Sequence, residues 1–360
     1  MMWEDAFHGR SVLVTGHTGF KGSWLALWLA RLGAKVSGYS LEPPTSPSNY
    51  VVSDVAGTLQ RDLRGDVCDR QALTAAVAEV QPAIIFHLAA QSLVRESYSR
   101  PAQTFEINVM GSVNLLDAVR VAGKPCAVVM VTSDKCYENR EQVWGYRECD
   151  PMGGGDPYSA SKGAAELVVA AYRRSFFDLA RVREHGIKIA SVRAGNVIGG
   201  GDWAADRIVP DGIRALAAKQ PIPVRSPASI RPWQHVLEPL SGYLELGARM
   251  LTSDDEIFCS GWNFGPLAQA AIPVSRLVAL MIENWGEGRW EDRSSGLQPK
   301  EANVLRLAIE KADTLLQWRP RWTVEQAVAK TVSWYRDSLS GATGMRGRCY
   351  QDIDDYIGAR

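Results

Sequence analysis

The stretch SVLVTGHTGFKG, residues 11–22, determines the fold class of this chain. Its first five residues, Ser11–Thr15, form a short apolar run typical of a buried strand, and residues 24–32 then repeat apolar side chains at helical spacing. The turn between them contains glycines at positions 16, 19 and 22. Glycine lets the backbone approach a pyrophosphate closely, and the N-terminus of the following helix offers free amides to that anion. This strand–turn–helix segment therefore predicts a dinucleotide-binding site.

Short apolar runs alternate with longer helical patterns through the first half of the chain. The sequence predicts further helices at Ala72–Val80, Phe105–Val121 and Ser159–Phe177. It also predicts further strands at Lys35–Ser40, Ala83–Leu88, Ala127–Thr132 and Lys188–Arg193. Strands that alternate with helices form a parallel sheet covered on both faces. We therefore expect an α/β fold whose first lobe, residues 1–194, is a Rossmann-type doubly wound parallel sheet.

The second half of the chain contains more Pro, Gly and Trp, and its apolar runs are shorter. It has two clear helical patterns, at Val274–Asn284 and Val324–Tyr335. We expect residues 195–360 to form a smaller C-terminal α+β lobe that binds the substrate, with the chain crossing back to the first lobe near residues 229–262. The stretch from Ser340 is rich in Gly, Arg and Asp, and we expect it to be loosely held.

The composition argues against several classes of protein. The 360 residues carry 40 Lys and Arg against 40 Asp and Glu, without a block of one sign, whereas nucleic-acid binders usually show a basic excess. No apolar stretch approaches the ~20 residues that span a bilayer, and the acidic first residues do not resemble a signal peptide. Six scattered cysteines indicate free thiols in a reducing compartment, the cytoplasm, and no histidine has metal-ligand spacing. We expect no bound metal.

A second motif, at residues 158–162, places Tyr158 and Lys162 one helical turn apart on the same face. The pKa of a free tyrosine is about 10, and a neighbouring ammonium favours the phenolate that can accept a proton. Polar residues 132–135 also follow a buried strand, and parallel sheets present their active sites at such strand ends. The expected catalytic residues are Ser133, Asp134, Lys135, Tyr158 and Lys162.

These motifs resemble those of the extended short-chain dehydrogenase family. Within it, Ser133-Asp134-Lys135 resembles the Thr-Asp-Glu of the NAD-dependent sugar-nucleotide 4,6-dehydratases, with lysine in the usual place of glutamate. The resemblance continues through residues 145–158, 193–203, 231–236 and 262–265, so it covers nearly the whole chain. It implies that the chain uses NAD to convert CDP-glucose to CDP-4-keto-6-deoxy-glucose and water. It also implies a role in deoxysugar biosynthesis, such as that for O-antigen lipopolysaccharide.

The resemblance also implies which residues bind the cofactor. Asp66 is compatible with a contact to the adenine edge and, equally, with a helix cap. Ser40 stands near the place of the family's acid for the adenosine ribose, and no arginine follows in that segment, so we expect NAD rather than NADP. The expected cofactor-binding residues are Gly16, Thr18, Gly19, Phe20, Lys21, Gly22, Asp66, Val67, Leu88, Ala89, Ala90, Tyr158 and Lys162.

The family's pattern assigns four residues to the sugar nucleotide. Asn196 corresponds to an asparagine that bonds the diphosphate, and Arg231 can grip phosphate through two hydrogen bonds. Arg207 is explained equally well by a nucleotide contact and by a surface ion pair. The expected substrate-binding residues are Gln91, Asn196, Arg207 and Arg231. We also expect at least a homodimer, built on the helices that follow Phe105 and Tyr158.

Two alternatives remain open at the level of sequence. Lys135 acts either as the base at carbon 5, if its pKa is depressed, or as an electrostatic stabiliser of the enolate. The rival functions are another 4,6-dehydratase or a 4-epimerase on the same fold, and a non-catalytic NAD-binding scaffold. The loop carrying Asp134 argues against an epimerase, and retention of Tyr158 and Lys162 argues against a scaffold.

Overall fold

A computed structural model describes residues 2–294, 305–341 and 344–359 of the chain. The strands are β1 Ser11–Thr15, β2 Lys35–Ser40, β3 Arg61–Arg64, β4 Ile84–His87, β5 Cys126–Val131, β6 Ile187–Ala194, β7 Val197–Ile198, β8 Ile222–Val224, β9 Ile230–Pro232, β10 Gln234–His235, β11 Gly261–Phe264, β12 Ala271–Pro273 and β13 Trp290–Asp292. The α-helices are α1 Met2–Phe7, α2 Phe20–Arg31, α3 Asn49–Val52, α4 Arg70–Val80, α5 Val94–Ser99, α6 Pro101–Phe105, α7 Gly111–Ala122, α8 Pro157–Ser175, α9 Val182–His185, α10 Ile208–Ala217, α11 Leu237–Thr252, α12 Val274–Trp285, α13 Glu310–Leu316, α14 Val324–Leu339 and α15 Met345–Gly358.

Seven parallel strands form the central sheet, in the order β11-β6-β5-β4-β1-β2-β3. The order of the strands reverses between β1 and β4. In an open α/β sheet, such a switch point opens a crevice at the carboxyl ends of the strands, and ligands bind there. The Rossmann-type fold class is therefore confirmed, and the crevice lies where β1 runs into the glycine-rich turn.

Apolar residues cover both faces of this sheet. On one face, α4, α7 and α8 contribute buried side chains that include Leu73, Leu116 and Val169. On the other face, α2 and α11 contribute side chains that include Trp28 and Leu240. Burial on both faces explains why the strands are apolar throughout rather than alternating with polar residues.

The smaller part of the molecule is built on short two-stranded sheets. These pair β7 with β10, β8 with β13, and β9 with β12. Helix α12 packs against α10 and α14, and a small apolar cluster joins α10, β8 and α12. None of the described helices combines the length and apolarity needed to cross a bilayer.

Several elements differ from the sequence-based expectations. The strands β3 and β11 and the helix α11 were not predicted, and β3 carries charged residues at three of its four positions because it is the edge strand. The expected helix over residues 105–121 is interrupted by a π-helical turn at Glu106–Met110. The expectation that the stretch from Ser340 is loosely held is wrong for residues 345–358. They form α15, which packs on α2 through side chains such as Ile353 and Tyr356.

Candidate active site

The glycine-rich turn has the shape that a pyrophosphate requires. Gly16 has a φ of +75°, and a Cβ at this position would lie 2.7 Å from the backbone nitrogen of Ala89. A Cβ at Gly22 would overlap the Gly16 carbonyl. Gly19 is the N-cap of α2 and offers no side-chain hydrogen bond, so the first amides of the helix face the crevice without a side-chain partner. This cradle fits a dinucleotide.

The other residues of the turn point in different directions. Thr18 Oγ1 lies 2.8 Å from Ser40 Oγ and donates to the Leu41 carbonyl at 3.0 Å, which ties the turn to the end of β2. His17 is buried and faces away from the turn, with Nε2 2.8 Å from Asp62 Oδ1. Lys21 points towards the catalytic residues. Burial lowers its pKa to about 8, against the opposing effect of the carboxylate of Asp134.

The adenosine end of the crevice contains Asp66 and, unexpectedly, an arginine. Asp69 caps α4 by accepting from the amides of residues 71 and 72, so Asp66 is not the cap of this helix. Arg64 pairs in register with Ser40 across β2 and β3. The segment that follows Ser40 contains no arginine, but the neighbouring strand β3 places one beside Ser40. Its guanidinium is shared between Asp62, at 2.5 Å, and Glu42, at 3.0 Å.

The cofactor-lining segment after β4 is packed against the glycine-rich turn. Residues Leu88, Ala89 and Ala90 are half-buried, and the Ala89 amide donates to Thr15 Oγ1 at 3.3 Å. His87 is buried below them, 2.7 Å from the same hydroxyl, and burial together with the nearby Lys162 lowers its pKa to about 3. His87 is therefore neutral at physiological pH and takes no part in proton transfer.

The structure brings the five expected catalytic residues together. Tyr158 and Lys162 lie buried on the first turns of α8, and the Ser133 hydroxyl lies near enough to Tyr158 to lower its pKa. Burial raises the pKa of Tyr158, but the Ser133 hydrogen bond and the charges of Lys135 and Arg207 oppose this effect. Burial also lowers the pKa of Lys162 to about 8. Lys135 and Arg207 thus favour the Tyr158 phenolate, but burial and the Asp134 carboxylate oppose it, and on balance the pKa of Tyr158 stays above its usual value.

Asp134 and Lys135 extend this group towards the crevice. Asp134 is only 3% exposed, and its Oδ1 accepts from the Ser133 hydroxyl at 3.0 Å. Its other carboxylate oxygen packs so tightly on Gly195 that a Cβ there would lie 2.9 Å away. The Lys135 ammonium is 4.0 Å from the Asp134 carboxylate and is partly exposed. The site thus combines a buried tyrosine with a separate carboxylate and ammonium.

The four expected substrate residues lie in different surroundings. Arg207, the residue before α10, donates to Asp202 at 2.9 Å and lies close enough to Tyr158 for their charges to interact. Asn196 follows β6 and is half-buried, and Arg231 lies on β9 in the smaller part of the molecule. Gln91 uses its side-chain amide to bond Thr104 and the backbone of Leu93, which holds its loop in place.

The sequence-based prediction missed three buried polar residues around this site. Asn108, in the π-helical turn, donates to the Gln91 carbonyl at 3.0 Å and to Ser161 Oγ at 2.8 Å, and so joins the cofactor segment to α8. Glu166 and Arg193 form an ion pair below the loop of Asp134. The sequence did contain a signal for the ion pair. Arg193 lies in the buried strand β6, and a buried charge requires a partner.

Comparisons with known proteins agree with this arrangement. The family model described as GDP-mannose 4,6 dehydratase matches residues 13–331. A CDP-glucose 4,6-dehydratase of Salmonella typhimurium is 48% identical over 359 residues, which cover all of this chain and 99% of that protein. A probable dTDP-glucose 4,6-dehydratase of Sinorhizobium fredii is 25% identical, with 94% of this chain and 96% of that protein covered.

Solved structures share the fold. The dTDP-glucose 4,6-dehydratase DesIV of Streptomyces venezuelae, solved with NAD and TYD bound, gives a TM-score of 0.77 at 23% identity, over 93% of this chain and 99% of that one. The epimerase Mth375 of Methanothermobacter thermautotrophicus gives a TM-score of 0.78 at 21% identity, over 95% of this chain and 96% of that one. This chain therefore belongs to the GDP-mannose 4,6-dehydratase family, a branch of the extended short-chain dehydrogenases.

Proposed function

We propose that this protein is an NAD-dependent hydro-lyase that converts CDP-glucose to CDP-4-keto-6-deoxy-glucose and water. The observation that carries the proposal is the loop of buried Ser133 and Asp134 and partly exposed Lys135, which lies beside Tyr158 at the carboxyl ends of the strands. An epimerase needs only the tyrosine, whereas loss of water also needs groups that exchange protons at carbons 5 and 6. The 48% identity to a CDP-glucose 4,6-dehydratase supports the same substrate.

The cradle around the glycine-rich turn accounts for cofactor binding. The amides at the start of α2 would hold the pyrophosphate, Asp66 and Val67 the adenine, and Leu88, Ala89 and Ala90 the remaining wall. Lys162 would hold the nicotinamide ribose. When bound, NAD supplies first a hydride acceptor for carbon 4 and later a hydride donor for carbon 6, so it is regenerated in each turnover.

The redox step depends on Tyr158. Its phenolate takes the proton of the carbon-4 hydroxyl as the hydride leaves carbon 4, and Ser133 holds that hydroxyl in place. The 4-ketone that results makes the hydrogen at carbon 5 acidic. Ser133, Tyr158 and Lys162 therefore prepare the sugar for elimination without taking part in the loss of water.

The elimination depends on the charged pair at positions 134 and 135. Asp134 donates a proton to the carbon-6 hydroxyl, the bond from carbon 6 to oxygen breaks, and water leaves as carbon 5 loses its proton. Hydride then returns to carbon 6 and a proton to carbon 5. Two roles for Lys135 fit the 4.0 Å separation from Asp134, namely base at carbon 5 and electrostatic stabiliser of the enolate. If a Lys135→Gln variant still exchanges the carbon-5 hydrogen with solvent deuterium, Lys135 is not the base at carbon 5.

The remaining assignments concern binding and assembly. Arg207, Arg231 and Asn196 would bind the diphosphate, and Gln91 would support the sugar pocket through its loop. We also propose a homodimer in the cytoplasm whose product enters deoxysugar synthesis. The cytoplasmic assignment is supported by six free cysteines, of which four are buried.

A panel of nucleotide sugars tests this function. The purified protein is incubated with NAD and CDP-, dTDP-, UDP- or GDP-glucose, and the 4-keto-6-deoxy product is measured. We expect the highest kcat/KM with CDP-glucose. Equal or better turnover of dTDP-glucose would contradict the substrate assignment, formation of CDP-galactose would indicate an epimerase, and absence of any product would indicate a scaffold.

A further inference from the structure

A buried ion pair lies directly below the catalytic loop. Glu166 and Arg193 have side chains that are 4% and 5% exposed, and they form two parallel hydrogen bonds, of 2.9 Å from Nε and 2.8 Å from Nη2. Glu166 follows Tyr158 and Lys162 on α8 at intervals of four residues, so all three share one face of the helix. Arg193 lies on β6, two residues before Gly195, on which the Asp134 carboxylate packs.

The same ion pair holds the loop at both of its ends. Thr132, which precedes Ser133, donates from Oγ1 to Glu166 Oε1 at 2.5 Å. Tyr137, which follows the short helical turn Asp134–Cys136, accepts from Arg193 Nη1 at 2.6 Å, and its ring lies 5.1 Å from the guanidinium carbon. Both ends of the segment that carries Asp134 and Lys135 are therefore fixed to one pair of charges.

Further bonds fix the outer side of this network. The Tyr137 hydroxyl donates to Asn263 Oδ1 at 2.8 Å, and Ser191 Oγ donates to Glu166 Oε2 at 2.7 Å. Although burial raises the pKa of Glu166, the charge and hydrogen bonds of Arg193, together with Thr132 and Ser191, hold it below its usual value. Glu166 is therefore ionised at physiological pH, and the pair keeps its charges.

Stability alone does not account for such a pair. Moving two charges out of water costs several kcal/mol per ion, and well-packed apolar residues often replace a buried ion pair without loss of stability. The α8 residues also have supports of their own: Asp156 caps the helix, and Asn108 bonds Ser161. The loop of Asp134 and Lys135, in contrast, meets the Glu166–Arg193 pair immediately before and after its catalytic residues.

We propose that Glu166 and Arg193 are positioning residues that set Asp134 and Lys135 against Tyr158 and Lys162, and thereby govern the elimination of water rather than the first hydride transfer. The inference rests on the proposed dehydratase function. The site then has two separately supported groups. Tyr158 and Lys162 lie on a capped helix, whereas Asp134 and Lys135, the groups for elimination, lie on a loop held by this ion pair. A displacement of about 1 Å at such a group can slow a reaction by about 100-fold.

Two variants remove one tether each and preserve the shape of the side chain. Thr132→Val deletes the donor to Glu166, and Tyr137→Phe deletes the link between Arg193 and Asn263. Thr331→Val is the matched control, because Thr331 is a buried threonine whose hydroxyl bonds only its own helix α14, at the Ala327 carbonyl. Thermal unfolding establishes that each variant is folded, and Glu166→Gln is added if it is stable.

Single-turnover kinetics with CDP-glucose provide the test. Appearance of reduced nicotinamide reports hydride removal from carbon 4, and formation of the 4-keto-6-deoxy product with substrate deuterated at carbon 5 reports elimination. In Thr132→Val and Tyr137→Phe we expect elimination to slow by about 10- to 100-fold, with a larger carbon-5 isotope effect. Hydride removal should stay within about 3-fold of the wild type, and Thr331→Val should match the wild type in both steps.

Three outcomes are distinguishable. A selective loss of elimination supports the positioning role, whereas equal slowing of both steps, or no change in either, overturns it. If the wild-type protein itself forms no 4-keto-6-deoxy product, the proposed function fails, and that result does not depend on any variant of the pair.

Discussion

At the scale of single residues, the site separates two kinds of proton transfer. Tyr158 lies on the first turn of α8, beside Ser133 and one helical turn from Lys162, whereas Asp134 lies on the strand-end loop with its carboxylate between Ser133 and Gly195. Both groups are buried, so neither exchanges protons freely with bulk water. Their different supports suggest that they serve different steps.

This separation predicts that two variants stall at different points. Tyr158→Phe should block hydride removal, so no reduced nicotinamide forms. Asp134→Asn keeps the shape but cannot donate the proton, so the first oxidation should proceed while loss of water slows by about 100- to 10,000-fold. Stopped-flow absorbance of the nicotinamide, with substrate deuterated at carbon 4, distinguishes the two. Elimination at the wild-type rate in Asp134→Asn, or a complete failure of hydride removal in it, would remove Asp134 from the acid role.

The lowered pKa of Lys162 predicts a pH dependence. Lysine is charged below its pKa and neutral above it, so the ammonium that favours the Tyr158 phenolate is lost as the pH rises through about 8. We expect kcat at saturating NAD and CDP-glucose to fall above that pH. In Lys162→Arg the guanidinium stays charged, so the remaining activity should lose this alkaline fall.

Lys21 provides the control for this assignment, because burial lowers its pKa to about 8 as well. Lys21→Arg should retain the alkaline fall in kcat if Lys162 is responsible. A fall that persists in Lys162→Arg but disappears in Lys21→Arg would assign the titration to the glycine-rich turn instead.

At the scale of elements, the edge of the sheet shapes the adenosine pocket. The end of β2 supplies Ser40 rather than an acid, and β3 supplies Arg64 beside it. That guanidinium does not present a free positive charge, because it is shared between Asp62 and Glu42. A ribose 2′-phosphate would compete with both carboxylates for it. The arrangement therefore disfavours NADP even though an arginine is present.

Removing one of these carboxylates is expected to weaken the preference for NAD. Glu42→Gln frees part of the Arg64 guanidinium and removes a negative charge, so the affinity for NADP relative to NAD should rise by about 2- to 5-fold, the range of an exposed ion pair. Titrations that follow protein fluorescence measure both affinities. Glu79→Gln is the matched control, since Glu79 pairs with Arg61, which lies on β3 together with Arg64. An unchanged ratio in Glu42→Gln would show that Arg64 does not face the ribose.

The elements that could be predicted from sequence are those with a strong periodic pattern. Strands β1 and β2 were predicted with the observed bounds, and the helices α2, α4, α7 and α8 were located, because buried strands and amphipathic helices leave clear apolar patterns. The edge strand β3 is polar and β11 has four residues, so neither has such a pattern. The π-helical turn depends on the tertiary contacts of Asn108, which local sequence does not specify.

The site was partly predictable for a related reason. Tyr158, Lys162 and the loop at residues 133–135 belong to short contiguous motifs, and the structure brings them together. The direction of His17 towards Asp62 and the pairing of Glu166 with Arg193 join residues that are 45 and 27 positions apart. A single sequence carries the charges but not their partners, so these contacts required the fold.

At the scale of the whole molecule, an apolar surface remains on the helices that were expected to form a dimer. The sequence predicts an interface of Val168, Val169, Tyr172, Phe176 and Phe177 on one helix and Val113, Leu116 and Val119 on the other. Val169, Phe177, Leu116 and Val119 are instead buried in the protein's own core, whereas Phe176 is exposed. The exposed apolar set lies on α6, α8, the π-helical turn and the residue after α8, and α6 and the turn pack against α8. It comprises Phe105, Met110, Leu167 and Phe176.

This exposed set predicts a homodimer through α6 and α8. Large apolar side chains exposed on neighbouring elements are typical of a protein–protein interface, and Leu167 and Phe176 are 63% and 53% exposed. Light scattering at micromolar concentration should give a mass of at least two chains.

A charge placed inside a packed apolar interface has no partner there, so Leu167→Glu should shift the mass towards the monomer. Val51→Glu is the control, because Val51 is equally exposed, at 62%, but lies on α3, which packs on α2. A monomeric wild type, or a Leu167→Glu variant that associates as the wild type does, would place the interface elsewhere. Leu167 directly follows Glu166 on α8. If Leu167 contacts the partner, this helix carries the partner contact on one face and the catalytic residues on another.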